Sequence, residues 1–323
     1  MLVCVLVCVV LTPCGRFPTV CMHVLFYILL GVDPMEDMGF VRMALAKAIE
    51  YSEVLGTDAA LRPRWAAALG KMAPFRTTQV NGVTVFAQSA SFLTPDWNIT
   101  NQTGGWPGSG RVYTGYPIIY DSGIHPADVI TRSSEPTLLQ VARNTVWTDG
   151  ELTQWNPTNG FVLSWIPAAR IVERANASTL LDGFEAAINS SVYLNWYHPH
   201  GGGGYEDVGA VEAVNCMLLL SIEGFVRFFP AWPVGETASF VGLRASGAFV
   251  VTASINAQGT VGTIELKADV GGNFAFLSPW PTAATMMAPA VRCGGAVASV
   301  GSLGEGKFGF PTKPGQSCTI TAP

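Results

Sequence analysis

The chain has 323 residues, 49% of them apolar and only 13% charged, with 35 Gly, 21 Pro and a formal net charge of −5. It is too apolar for a disordered chain, has no Gly-X-Y period, and its acidic balance offers no basic face to a nucleic acid backbone. The length allows about two domains of ordinary size, and a mean hydropathy of +0.33 calls for a large core or contact with a membrane.

Residues 1–32 hold two apolar runs, 2–11 and 20–32, divided by Pro13, Arg16 and Pro18. Each is shorter than the roughly 20 residues of a spanning helix. The first is like the apolar region of a signal peptide, without the basic start or a small-residue cleavage site. A signal or membrane anchor and a stretch translated from a wrongly assigned start are both open readings of this segment. Cys4, Cys8, Cys14 and Cys21 lie in it. Of the other cysteines, Cys216 reads as a buried thiol, while Cys293 and Cys318 can pair in an oxidising compartment. Asn98, Asn101, Asn176 and Asn189 begin Asn-X-Ser/Thr sequons, which favour a secreted or luminal location.

From 37 to 55, Phe40, Ala44, Ala48, Tyr51 and Leu55 recur at helical spacing, with Asp37 as N-cap and Gly56 as stop. A second helix is expected over 62–71, with Pro63 in its first turn. Residues 76–130 read as one long loop-rich stretch. Helical periodicity returns at 135–148, 160–174, 177–190 and 208–222. After Gly224 the pattern becomes that of strands at 225–229, 248–255 and 260–267, with Asn256-Ala-Gln-Gly as a hairpin turn.

Residues 195–207, Asn-Trp-Tyr-His-Pro-His-Gly-Gly-Gly-Gly-Tyr-Glu-Asp, concentrate the chemistry. Four glycines let the backbone approach a ligand closely, although Asp207 also suits a plain helix N-cap. His198 and His200 with Glu206 or Asp207 make only a weak metal pattern, with no second ligand cluster. No metal or cofactor is expected. Phosphate-loop, nucleophile-elbow and Cys-X-X-Cys motifs are missing, which excludes a nucleotide partner. Trp97, Trp106, Trp155 and Trp196 lie beside polar residues, as aromatic platforms for sugar rings do. Trp165, among Val162, Leu163 and Ile166, reads as core.

Residues 201–221, Gly-Gly-Gly-Gly-Tyr-Glu-Asp-Val-Gly-Ala-Val-Glu-Ala-Val-Asn-Cys-Met-Leu-Leu-Leu-Ser, and 223–233, Glu-Gly-Phe-Val-Arg-Phe-Phe-Pro-Ala-Trp-Pro, resemble glycoside hydrolase family 95, a group of inverting α-L-fucosidases and related enzymes. The family's helix end, its Pro-Ala-Trp-type strand and its Gly-Leu-Arg-Ala-X-Gly segment are matched at 217–221, 229–233 and 242–247. Weaker likeness lies at 37–42, at 53–56 and at His125-Pro-Ala-Asp-Val-Ile.

The resemblance implies an α+β multidomain chain. A partial (α/α)6 toroid would span residues 33–222 and an antiparallel β-sandwich 223–323. It implies an oligosaccharide or glycan substrate and hydrolysis of a terminal α-linked sugar. Glu206 or Asp207 would activate the water. Asn195, Trp196, His198, His200, Tyr205, Trp155, Asn156 and His125 would line the subsite. Two departures stand out. The family's general-acid Glu lies upstream of the matched region, and ungapped counting puts its catalytic Asp at Tyr205. Asp96, Asp121 and Asp128 read as turn residues and supply no persuasive second carboxylate. A catalytically inactive, carbohydrate-binding remnant is therefore the alternative. It would leave apolar helix faces uncovered.

Overall fold

The computed structural model describes residues 35–87, 121–153, 165–191, 204–280 and 287–323. Helices come first and antiparallel strands second, a mixed α+β chain.

Helix α1 (Met35–Leu55) starts two residues before the expected cap, and Gly56 stops it at φ +66°. Thr57 N–H bonds Ser52 O at 3.0 Å and Gly56 N–H bonds Glu53 O at 3.3 Å. This is the Schellman closure that glycine permits. Helix α2 (Arg62–Gly70) carries Pro63 in its first turn as expected. Arg62 braces the two helices through Ser52 Oγ at 2.6 Å and Ser52 O at 2.7 Å. The face of α1 that the periodicity marked is not the buried one. Met35, Met38, Gly39 and Ser52 turn inward, while Tyr51, Val54 and Leu55 are exposed.

The 76–130 stretch is not wholly irregular. Strands β1 (Thr77–Val80) and β2 (Val83–Phe86) form a hairpin about Asn81-Gly82, both at positive φ. That is the geometry a two-residue hairpin turn demands, and Asn-Gly is its usual sequence. The hairpin docks on α3 (Pro136–Thr153). Phe86 N–H donates to Thr145 Oγ1 at 2.8 Å, and Asn144 Nδ2 to Thr84 O at 3.0 Å.

Helix α4 (Ile166–Ile171) ends well before 174, because Val172 is extended at ψ 141°. A 3-10 turn at Arg174–Asn176 then leads into α5 (Ala177–Ser191). Trp165 is 1% exposed and meets Phe184 edge-to-face at 5.4 Å, so it is core. Helix α6 (Gly204–Leu218) stops sooner than periodicity suggested. Its apolar tail becomes strand β3 (Leu219–Leu220), which pairs with β4 (Arg227–Phe228). An unbroken apolar run carries no mark of the change from helix to strand.

The strands that follow are β5 (Ala238–Ala245), β6 (Phe249–Ile255), β7 (Ile264–Ala268), β8 (Gly272–Leu277), β9 (Ala290–Cys293), β10 (Ala296–Val297), β11 (Gly301–Gly304), β12 (Lys307–Thr312) and β13 (Gln316–Thr321). They make a six-stranded sheet, β10-β9-β13-β7-β6-β5, and a three-stranded one, β11-β12-β8. Alternation drives the arrangement: β7 reads buried, exposed, buried, exposed, buried, and sends Ile264, Leu266 and Ala268 inward. Both sheets face one core, where Phe274, Phe276, Phe308 and Phe310 of the smaller meet Val251, Leu266 and Ile320 of the larger. Each such buried side chain contributes about 1.5–3 kcal/mol. Edge strand β5 shifts register between Phe240 and Leu243, with Gly242 at φ +72°. Cys293 and Cys318 are cross-strand partners and form a disulfide closing 25 residues.

A second core lies among the helices, from Met35 and Phe86 to Cys216 and Met217. Val214 and Trp232 touch both cores. Between them, Glu223 accepts from Thr131 Oγ1 at 2.9 Å and Ser133 N–H at 2.8 Å, and pairs with Arg227. Among the described residues, no helix is long and apolar enough to cross a membrane.

Candidate functional site

Of the residues singled out from sequence, Asn195, Trp196, His198, His200, Trp155 and Asn156 lie outside the described residues. Tyr205, Glu206 and Asp207 stand in the first turn of α6, directly after the glycine tract. His125 is described in full, and it opens onto a cluster of polar groups that sequence reading did not assemble.

His125 precedes Pro126 through a cis peptide bond, in the turn-rich segment 121–131. Burial first, and the Arg170 guanidinium second, lower its imidazole to about 4, so it is neutral near neutral pH. Its Nδ1 finds no hydrogen-bond partner among the described residues. Arg170, on α4, is 7% exposed. It pairs with Asp128 and donates to Ile124 O at 3.3 Å. Burial raises the Asp128 carboxyl above its usual range despite that partner. From α6, the Cys216 thiol donates to Glu212 Oε1 at 3.5 Å. Burial pushes that thiol up to about 12, so it is no nucleophile at neutral pH.

This cluster ties the 121–131 segment, α4 and α6 together. Asp128 sits at φ +54°, as a turn residue would, but its carboxylate also anchors a buried arginine. Asp121 is 1% exposed and no surface turn residue. The signal that sequence reading missed was Arg170 itself, a lone charge within Ile-Pro-Ala-Ala-Arg-Ile. Burying a guanidinium there requires a counter-charge. Among the described residues, no group of three or more His, Cys, Asp or Glu is placed to hold a metal ion.

A half-open hollow of about 290 Å³ lies where α3, α4 and the 172–176 turn meet. Trp147, Gln140, Asn144 and Asn176 line it, beside an Arg143–Glu173 ion pair of 2.5 Å. An indole wall with amides around it is the chemistry that sugar rings bind, and the volume suits one ring. The pair holds its only described carboxylate, Glu173, so the hollow offers contacts and not a pair of free acids.

No family model matches the chain, and no curated protein matches it. Among solved structures, the chain is similar to Ara127N-Se, a GH127 β-L-arabinofuranosidase from Geobacillus stearothermophilus T6. The likeness has 10% identity, covers 52% of this chain and 33% of that one, and has a TM-score of 0.24. The chain thus spans a third of that protein's length. A likeness of that size identifies no family.

Proposed function

We propose that the chain is a glycoside hydrolase-type protein of the α-L-fucosidase kind, acting by inversion on a terminal α-linked sugar. Residues 33–222 would form part of an (α/α)6 toroid and 223–323 its sheet domain. The observation that carries the reading is the start of α6 at Gly204, which sets the acidic pair in a helix's first turn at the end of a glycine tract. Such a position favours an ionised carboxylate, as a water-activating base requires. Position 206 is in helical phase with Gly209, Ala213 and Met217, all buried. Position 207, at the same spacing, is in phase with Ala210, Val214 and Leu218, which also pack on the cores. Glu206 or Asp207 would be the base. The Cys293–Cys318 bond supports a secreted or luminal setting.

The hollow beside Trp147, with its only described carboxylate already paired, favours the second reading, a protein that binds glycans without cleaving them. Purified protein should hydrolyse an aryl α-L-fucoside, and Glu206→Gln or Asp207→Asn should abolish turnover while leaving fucose affinity intact. Absence of turnover in the wild type together with saturable fucose binding would select the binding reading. Absence of both would reject the carbohydrate assignment.

A further inference from the structure

A second hollow, of about 240 Å³, opens at the seam between helices and sheets. Arg132, from the segment before α3, Arg174, from the turn after α4, and Arg227, on β4, all line it, with Ser278 and Gly259 on the sheet side. No Asp or Glu is among the described lining residues. In a chain of net charge −5, three guanidiniums around one cavity need a reason.

Structural duties account for part of their donors. Arg132 Nη2 bonds Val172 O at 2.6 Å and Ala169 O at 3.4 Å, closing the end of α4. Arg174 Nε bonds Trp232 O at 3.1 Å. Its terminal nitrogens lie over the hairpin turn, where a Cβ on Gly259 would meet them at 3.6 and 3.9 Å. Arg227 pairs with Glu223, bonds Ser133 Oγ at 2.9 Å and stacks over Phe225 at 4.8 Å. A guanidinium has five N–H donors. Arg132 Nε is buried and meets no protein acceptor among the described residues. Glu223 is matched to Arg227 and Glu173 to Arg143, so among the described residues neither Arg132 nor Arg174 has an ion-pair partner of its own. Burial first, and the nearby Arg227 and Arg143 next, bring Arg132 down to about 10 against the weaker pull of Glu223 and Glu173.

We propose that this hollow is a binding site for a tetrahedral oxyanion, a phosphate or sulfate group, held by Arg132, Arg174 and Arg227. A dianion with three or four oxygens matches both the charge of these guanidiniums and forks arriving from several directions, which a planar carboxylate with two oxygens does not. The cavity is larger than a bare ion, so the group can arrive free or as the ester of a small sugar.

The test is calorimetric titration of the full chain with inorganic phosphate, inorganic sulfate and glucose 6-phosphate, at ionic strength held constant with sodium chloride. At least one should bind saturably with one site per chain. Tighter binding of the ester than of both ions would identify an esterified ligand, and the reverse a free ion. Arg174→Gln should weaken binding about tenfold or more, as expected for lost bonds to a charged group. Arg174→Lys, which keeps the charge, should fall between. Arg244→Gln, at an exposed arginine on β5, should bind as the wild type does. No saturable binding of any probe overturns the proposal. So does unchanged binding by Arg174→Gln, or an equal loss in Arg244→Gln.

Discussion

His125 couples folding to pH in a direction that follows from its surroundings. Its ordinary value is 6.5 and the folded one about 4. Between those values the unfolded chain takes up a proton that the native imidazole refuses, so stability present above 6.5 is lost as pH falls towards 4. Allowing for partial exposure, the loss is about 1–2 kcal/mol. Asp128, with its raised carboxyl, acts in the opposite sense at lower pH. The difference between wild type and His125→Gln isolates the histidine: thermal midpoints of the two should diverge less at pH 4.5 than at pH 7. Arg170→Met should cost about 1 kcal/mol in urea unfolding, because the Asp128 carboxylate loses its partner but stays partly open to water. His125 could be picked out in the sequence through the His125-Pro-Ala-Asp-Val-Ile segment. Its link to Arg170 and Cys216 could not, since those lie tens of residues away and only the fold brings them near.

At the scale of elements, local chemistry governs the hairpins and caps. Gly82 has φ +80° and nothing within 4 Å of a new Cβ, so Gly82→Ala pays only backbone strain, about 1 kcal/mol. Gly56→Ala should cost a similar amount through the Schellman closure of α1, and denaturant midpoints would measure both. The disulfide closes 25 residues between β9 and β13, and its removal in a Cys293→Ser, Cys318→Ser double variant should cost about 3 kcal/mol. Helix ends marked by Gly56 and Pro63, and the hairpin at 256–259, were legible because single residues decide them. The Asn81-Gly82 turn was equally marked, but four-residue strands are too short to show a period. The split of 208–222 into α6 and β3 was not legible. Leu218, Leu219 and Leu220 suit either state, and the choice falls to pairing with Phe228 and Arg227. The inward face of α1 was misread for a related reason: its contacts are with Gly123 and Ala127, far along the chain.

Across the whole molecule, the two cores communicate through a narrow seam. Glu223 holds Thr131 and Ser133 on the helical side and Arg227 on the sheet side, with a side chain 6% exposed. Bonds to Arg227, Ser133 and Thr131 outweigh burial and hold its carboxyl below the usual range. Glu223→Ala should therefore do more than destabilise the chain by about 3 kcal/mol. It should separate one calorimetric transition into two, the sheets melting apart from the helices. A single sharp transition in that variant would mean that Val214 and Trp232, which touch both cores, couple them unaided.

The register shift in β5 has a consequence beyond the monomer. An outermost strand with a regular ladder of free amides invites the same strand of another molecule, and Val241, 85% exposed, would make that union greasy as well. The kink at Gly242 interrupts the ladder and bends it out of line. Deleting Gly242 would straighten that margin, and concentrated solutions should then seed thioflavin-positive fibrils where the intact chain stays dispersed.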